Sequence, residues 1–116
     1  MVVELLRNPE LMKNVQNEVR GIIGHTKDKA KDNLDKMHYL NAVIKETLRF
    51  HPPLALLVRQ ESIQDAKIQG YDFATGTQVF INVWAIGRDL GLWDNPKKFH
   101  PERFLTYSID FKGHDF

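Results

Sequence analysis

Residues 37–53 read Met37-His38-Tyr39-Leu40-Asn41-Ala42-Val43-Ile44-Lys45-Glu46-Thr47-Leu48-Arg49-Phe50-His51-Pro52-Pro53. Leu40, Val43, Ile44, Thr47 and Leu48 recur at helical spacing, so Met37 to Phe50 is expected to be a helix with one apolar stripe. His51-Pro52-Pro53 stops it, because a residue before proline avoids helical geometry and proline cannot continue the hydrogen-bond ladder. Glu46 and Arg49, three apart, share a face. On an open surface such a pair is worth little. Beside Leu48, Phe50 and a double proline, it is expected on a largely buried helix end.

Upstream, Asn8-Pro9-Glu10 opens another helix: Asn8 suits the cap, Pro9 the first helical position, Glu10 the positive end of the dipole. Leu11, Val15, Val19 and Ile22 give it an apolar stripe, and Gly21 and Gly24 are expected to end it. Residues 1–7 have no start signal and read as the last turns of a helix. Residues 25–36 mix lysines and aspartates, as expected of a solvated loop or short surface helix.

Downstream, Leu54-Ala55-Leu56-Leu57-Val58 is expected to be a short buried strand. Ala66 to Val83 reads as a hairpin and then a strand, with Gly70 and Gly76 at turns and Val79, Ile81 and Val83 alternating with polar or aromatic neighbours. Residues 84–93 fit short helical turns, and Asn95-Pro96 starts another turn. His100 to Phe116 is expected to be mostly irregular. Trp93, Phe99, Phe104, Tyr107, Phe111 and Phe116 punctuate this tail, and aromatic side chains in irregular chain usually pack on something. Arg103, between a proline and a phenylalanine in Pro101-Glu102-Arg103-Phe104, has five donors for orphan carbonyls or a carboxylate.

The whole chain has 116 residues with 16 Lys+Arg against 15 Asp+Glu. That balance argues against a nucleic-acid binder, and 10% aromatics argue against an acidic disordered tail. The chain contains no cysteine, which removes disulfides, thiol catalysis and metal–thiolate ligation by these residues. No apolar run is long enough to span a bilayer, and no signal-peptide pattern is present.

Glu46-Thr47-Leu48-Arg49 with Phe50-His51-Pro52-Pro53, Ile68 to Phe73, Thr77 to Asp89, Trp93-Asp94, Phe99 to Phe104 and Ile109 to Phe116 together resemble the cytochrome P-450 monooxygenases, and within them a plant microsomal enzyme of the A-type group. The resemblance runs over essentially all 116 residues, which would make up about a quarter of a family member. It implies a mainly α fold with a small β region (α+β), of which this chain would be a fragment not expected to be self-sufficient. Residues 1–7 would be the end of the long central helix. Residues 8–24 and 38–50 would be the helices conventionally lettered J and K, 54–83 the β region, and 95–116 the meander leading to the heme loop.

By the same resemblance, Glu46, Arg49 and Arg103 match the family's structural triad, in which one carboxylate bridges two guanidiniums behind the heme. Leu54, Ala55, Leu56, Leu57 and Val58 match the segment that contacts substrate. The family's basic side chain for a heme propionate falls by spacing on Gln60, with Arg59 one residue early, and in a strand a one-residue shift reverses the face. Arg59 is the candidate propionate contact on that footing. The implied cofactor is heme b, with electrons from NADPH through a reductase partner, and the implied reactants are a small apolar organic molecule and O2. The implied location is the cytosolic face of the endoplasmic reticulum membrane, reached through an N-terminal anchor not found in these residues. No catalytic residue and no metal ligand of the family falls here: its thiolate has no cysteine to match, and His25, His38, His51, His100 and His114 match no axial position. The fragment alone is expected to be inactive. A truncated, non-catalytic remnant that acts by protein or membrane association is the alternative reading. An unrelated α+β ligand-binding domain fits the composition but leaves the order of motifs to chance.

Overall fold

The computed structural model describes residues 1–24 and 31–106. Its helices are α1 (Val2–Arg7), α2 (Pro9–Ile23), α3 (His38–Phe50), α4 (Val83–Ile86) and α5 (Arg103–Thr106), with a 3-10 turn at Lys31–Lys36. Its strands are β1 (Gln60–Glu61), β2 (Ala66–Ile68), β3 (Tyr71–Phe73) and β4 (Gln78–Val79). β1 pairs antiparallel with β4, and β2 with β3. The β2–β3 turn has two residues, Gln69 (φ 50°) and Gly70 (φ 88°). Positive φ at both is what a type I′ turn needs to match the strand twist.

α1, α2 and α3 meet in a small apolar core of Leu5, Val15 and Val43, flanked by Leu11, Met12, Val19, Tyr39, Leu40 and Phe99. A second cluster joins Ala42 on α3 to Trp93 and Phe104. The radius of gyration is 18.4 Å, against about 13 Å for a compact domain of this length. Leu54, Ile63, Leu90 and Leu92 are among many exposed large apolar side chains. No helix among the described residues is long and apolar enough to cross a membrane.

Several local expectations give way to tertiary contacts. Asn8 makes no side-chain cap bond to α2; its amide turns back and donates to the Glu4 carbonyl at 2.9 Å, closing α1 instead. Gly21 lies inside α2, which runs on to Ile23. Leu54 to Val58 is neither a strand nor buried. Pro52 and Pro53 offer it no N–H. Its backbone bonds are Leu57 N–H to the Ile81 carbonyl (3.0 Å) and Trp84 N–H to the Ala55 carbonyl (3.2 Å). The strand expected up to Val83 stops at Val79, because the Asn82 side chain accepts from Ala85 N–H at 3.0 Å and starts α4. α5 adds a helical turn to a segment expected to be irregular. Of the tail aromatics, Trp93 and Phe104 are buried and Phe99 half-buried. Tyr107, Phe111, Phe116, His25 and His114 lie outside the described residues.

The start of α3 has no side-chain cap of its own. Glu18 of α2 supplies one from outside: its carboxylate accepts from the Tyr39 and Leu40 N–H groups, each at 2.8 Å. These charge-assisted bonds satisfy two of the four orphan donors of a helix start and hold α2 against α3. The Tyr39 hydroxyl donates to Glu102 at 2.8 Å, tying α3 to the segment before α5. Burial pushes the Tyr39 hydroxyl above its ordinary 10.0; the Asn14 hydrogen bond opposes the shift and the Glu102 carboxylate adds to it.

Two outcomes are expected. Glu18→Ala lowers stability by about 1–2 kcal/mol, read as a lower urea midpoint, and Glu18→Gln lowers it less because the amide keeps one acceptor oxygen. The folded state holds the Tyr39 proton more tightly than the unfolded state. The stability this contributes is complete below pH 10.0 and is lost as pH rises beyond it. Tyr39→Phe should flatten that alkaline loss in a pH series of thermal unfolding.

Candidate functional site: a buried carboxylate between two guanidiniums

α3 buries a face that hydropathy alone does not pick out. Ala42, Glu46 and Arg49 are buried along with Val43, while Ile44 of the apolar stripe is 37% exposed. Glu46 and Arg49 are among the most completely enclosed side chains in the chain.

Glu46 is the hub. Arg49 donates to it in bidentate fashion, Nε to Oε2 and Nη2 to Oε1, both at 2.8 Å. His100 N–H donates to Oε1 at 2.8 Å. Arg103 Nε lies 3.3 Å from Oε2. One negative charge thus faces two positive ones in a site with almost no solvent.

The surplus charge is met by backbone. Arg49 donates to the carbonyls of Gly87, Pro96 (3.0 Å) and Lys98 (3.3 Å). Arg103 donates to the carbonyls of Asp94 (2.6 Å), Lys98 (3.2 Å) and His100 (3.2 Å), with a longer contact to Asn95. Residues 87–100 have no regular ladder for these carbonyls, so the guanidiniums act as their donors. Among the described residues no buried side-chain nitrogen or oxygen lacks a partner.

Packing completes the cluster. The Trp93 ring lies 5.3 Å from the Arg49 guanidinium, and its indole N–H donates to the Ile86 carbonyl at 3.0 Å. Trp93 also packs on Phe104 at 5.7 Å between centroids. Asn95 adopts φ 47°, a left-handed conformation that asparagine tolerates, and so turns the loop toward Pro96. Gly87 lies so close to α3 that a Cβ there would come within 2.7 Å of the Arg49 carbonyl oxygen.

The structure therefore brings together Glu46, Arg49 and Arg103, three residues singled out in the sequence from 46 to 103. It does not bring Arg59 or the Leu54–Val58 run into that cluster. Arg59 is exposed and precedes β1, so it belongs to no paired strand. Leu54, Leu56, Leu57 and Val58 are all at least 41% exposed. Two residues lie in motifs quoted from the sequence that assign them no such role: His100, which acts through its backbone N–H, and Arg88. The Arg88 guanidinium lies over the rings of Phe50 (5.1 Å) and Trp84 (4.3 Å). The histidines at the surface are engaged differently: His51 Nε2 is 3.0 Å from Glu4, and His100 Nδ1 is 2.9 Å from Glu102. Among the described residues no group of three or more His, Asp or Glu could hold a metal ion.

Comparisons with known proteins give one consistent answer. A family profile described as Cytochrome P450 matches residues 1–116. Cytochrome P450 71A8 of Mentha piperita is 54% identical over 115 residues, covering 99% of this chain and 23% of the relative. (+)-Menthofuran synthase of Mentha piperita is 52% identical over 112 residues, covering 97% of this chain and 23% of the relative. A zebra fish cytochrome P450 solved with progesterone superposes with a TM-score of 0.81 at 35% identity, covering 90% of this chain and 25% of that one. The chain spans roughly a quarter of the length of these relatives. It is a part of their mixed helix and small-sheet fold, and it belongs to the cytochrome P450 family.

Proposed function

We propose that these residues are the structural and substrate-flanking part of a heme–thiolate monooxygenase. The protein would insert one oxygen atom of O2 into an apolar small molecule, with electrons from NADPH through a reductase, at the cytosolic face of the endoplasmic reticulum membrane. The observation that carries this reading is the enclosed Glu46–Arg49–Arg103 cluster in a chain matched along its whole length by the family.

The residues present fit heme as a flank and not as its ligand. The chain has no cysteine to give a thiolate. The exposed aliphatic side chains of Leu54, Leu56, Leu57 and Val58 suit an apolar ring system and an apolar substrate, and the exposed Arg59 cation suits a propionate. Bound heme supplies oxygen activation, in which a thiolate ligand favours O–O cleavage. The protein's own part is to bind, orient and shield. Glu46, Arg49 and Arg103 hold the 87–100 loop rigid; they move no proton to a substrate. By themselves the 116 residues would be inactive. The exposed apolar surface favours one alternative, a non-catalytic product that associates through that surface.

The deciding experiment is the carbon-monoxide difference spectrum of the reduced protein, taken on the full-length product and on residues 1–116 alone. A thiolate-type Soret band from the first and none from the second supports the proposal; no such band from the full-length product refutes it. In that full-length protein, Glu46→Ala strands two buried guanidiniums and should cost about 3–5 kcal/mol. Arg49→Ala and Arg103→Ala should also reduce heme content, and the double variant Glu46→Ala/Arg49→Ala should cost less than the sum of its parts. Heme per protein and urea midpoints measure both effects.

A further inference from the structure

The aliphatic run 54–58 leaves α3 through two prolines, which contribute no N–H to hold it. It is held from the other side. The Ala55 carbonyl accepts from Trp84 N–H, and Leu57 N–H donates to the Ile81 carbonyl. Trp84 lies in α4 and Ile81 two residues before that helix, so the seating of α4 on α3 is one of the things that fix the run.

Arg88, two residues past α4, makes that attachment. Its Nη2 donates to the Phe50 carbonyl at 2.6 Å, one of the carbonyls that α3 leaves unpaired at its C-terminal end. Its Nη1 contacts the Trp84 carbonyl at 3.3 Å. The guanidinium lies over both the Phe50 and the Trp84 ring. The neighbouring Gly87 carbonyl accepts from Arg49, and Gly87 sits against the α3 backbone. A closed circuit results: α3, the two prolines, the aliphatic run, Trp84, Arg88 and back to α3. Only a planar, forked cation can stack on two rings and bond two carbonyls at once; lysine offers a point charge.

We propose that Arg88 is a positioning residue for the Leu54–Val58 face, and so governs how well the protein holds an apolar ligand there. The proposal rests on the monooxygenase reading, in which that face borders the ligand.

The test uses the full-length protein with wild-type residue, Arg88→Ala and Arg88→Lys. Amide hydrogen exchange reads the circuit directly and needs no turnover. Exchange at Leu57 and Trp84 should rise in Arg88→Ala while amides inside α3 stay as they were. Spectral titrations with imidazole and with 4-phenylimidazole separate the heme from the apolar wall beside it. Imidazole should bind wild type and variant alike, whereas 4-phenylimidazole should weaken on the order of tenfold in Arg88→Ala, as expected of lost apolar pocket contacts. Arg88→Lys should fall between. Unchanged exchange at Leu57 and Trp84, or an unchanged 4-phenylimidazole affinity, would overturn the proposal. Equal loss of both ligands in Arg88→Ala and in Arg88→Lys would overturn it too, by making Arg88 a general structural residue. If wild type bound neither ligand, the monooxygenase reading itself would fail. That result is distinct from a wild type that binds both and a variant that matches it.

Discussion

The Glu46 carboxylate accepts hydrogen bonds from Arg49 Nε, Arg49 Nη2 and His100 N–H, and it faces Arg103 as well. A carboxylate this enclosed is stable only when every lone pair is met, because burying a charge without partners is far more costly than the Coulomb attraction of one pair returns. The rest of the 87–104 region is arranged around that requirement. Two guanidiniums bring more donors than one carboxylate can use, and the spare donors take carbonyls of Gly87, Asp94, Pro96, Lys98 and His100. For these carbonyls arginine donors stand in for a strand ladder, while the Asp89 and Asn95 carbonyls accept from backbone N–H groups of the loop's own turns.

This arrangement differs in kind from the α1–α2–α3 core. That core is apolar and small, built on Leu5, Val15 and Val43, and its geometry is non-directional. The charged cluster is directional: a bidentate guanidinium fixes an angle as well as a distance. Glu18, which accepts from two N–H groups at the start of α3, works similarly at the other end of that helix. α3 is thus held by carboxylate contacts at both ends, one from α2 and one through its own Glu46. The Leu54–Val58 run, in contrast, has two backbone bonds and exposed side chains. A densely hydrogen-bonded cluster thus stands beside an exposed apolar face.

The interplay of Arg49 and Arg88 sets the relation between support and face. Both guanidiniums approach the Phe50 ring, Arg49 at 5.5 Å and Arg88 at 5.1 Å. Burial, followed by the nearby Arg49 charge, lowers the Arg88 pKa. Arg49 is met by the Glu46 carboxylate and three carbonyls, and Arg88 by the Phe50 and Trp84 carbonyls. Phe50, the last residue of α3, is therefore the joint between the buried cluster and the aliphatic run.

The sequence by itself determined the long helices, the proline stop after Phe50, the turn at Gly70 and the family, since these rest on local periodicity, turn chemistry and a fixed order of motifs. It also pointed to Glu46, Arg49 and Arg103 as a set, but only through the family's pattern, because Arg103 is far along the chain from the other two and such a separation carries no geometric information. Tertiary structure decided which face of α3 is buried, since Ala42, Glu46 and Arg49 face the loop while Ile44 stays partly exposed. It decided that Glu18 and not a local residue caps α3, that Asn8 closes α1 and not α2, and that the run 54–58 is exposed and unpaired as a strand. In each case the deciding partner lies on another element. Local sequence fixes what a segment is able to form, whereas the satisfaction of buried charges and orphan backbone groups depends on neighbours that only the folded chain supplies.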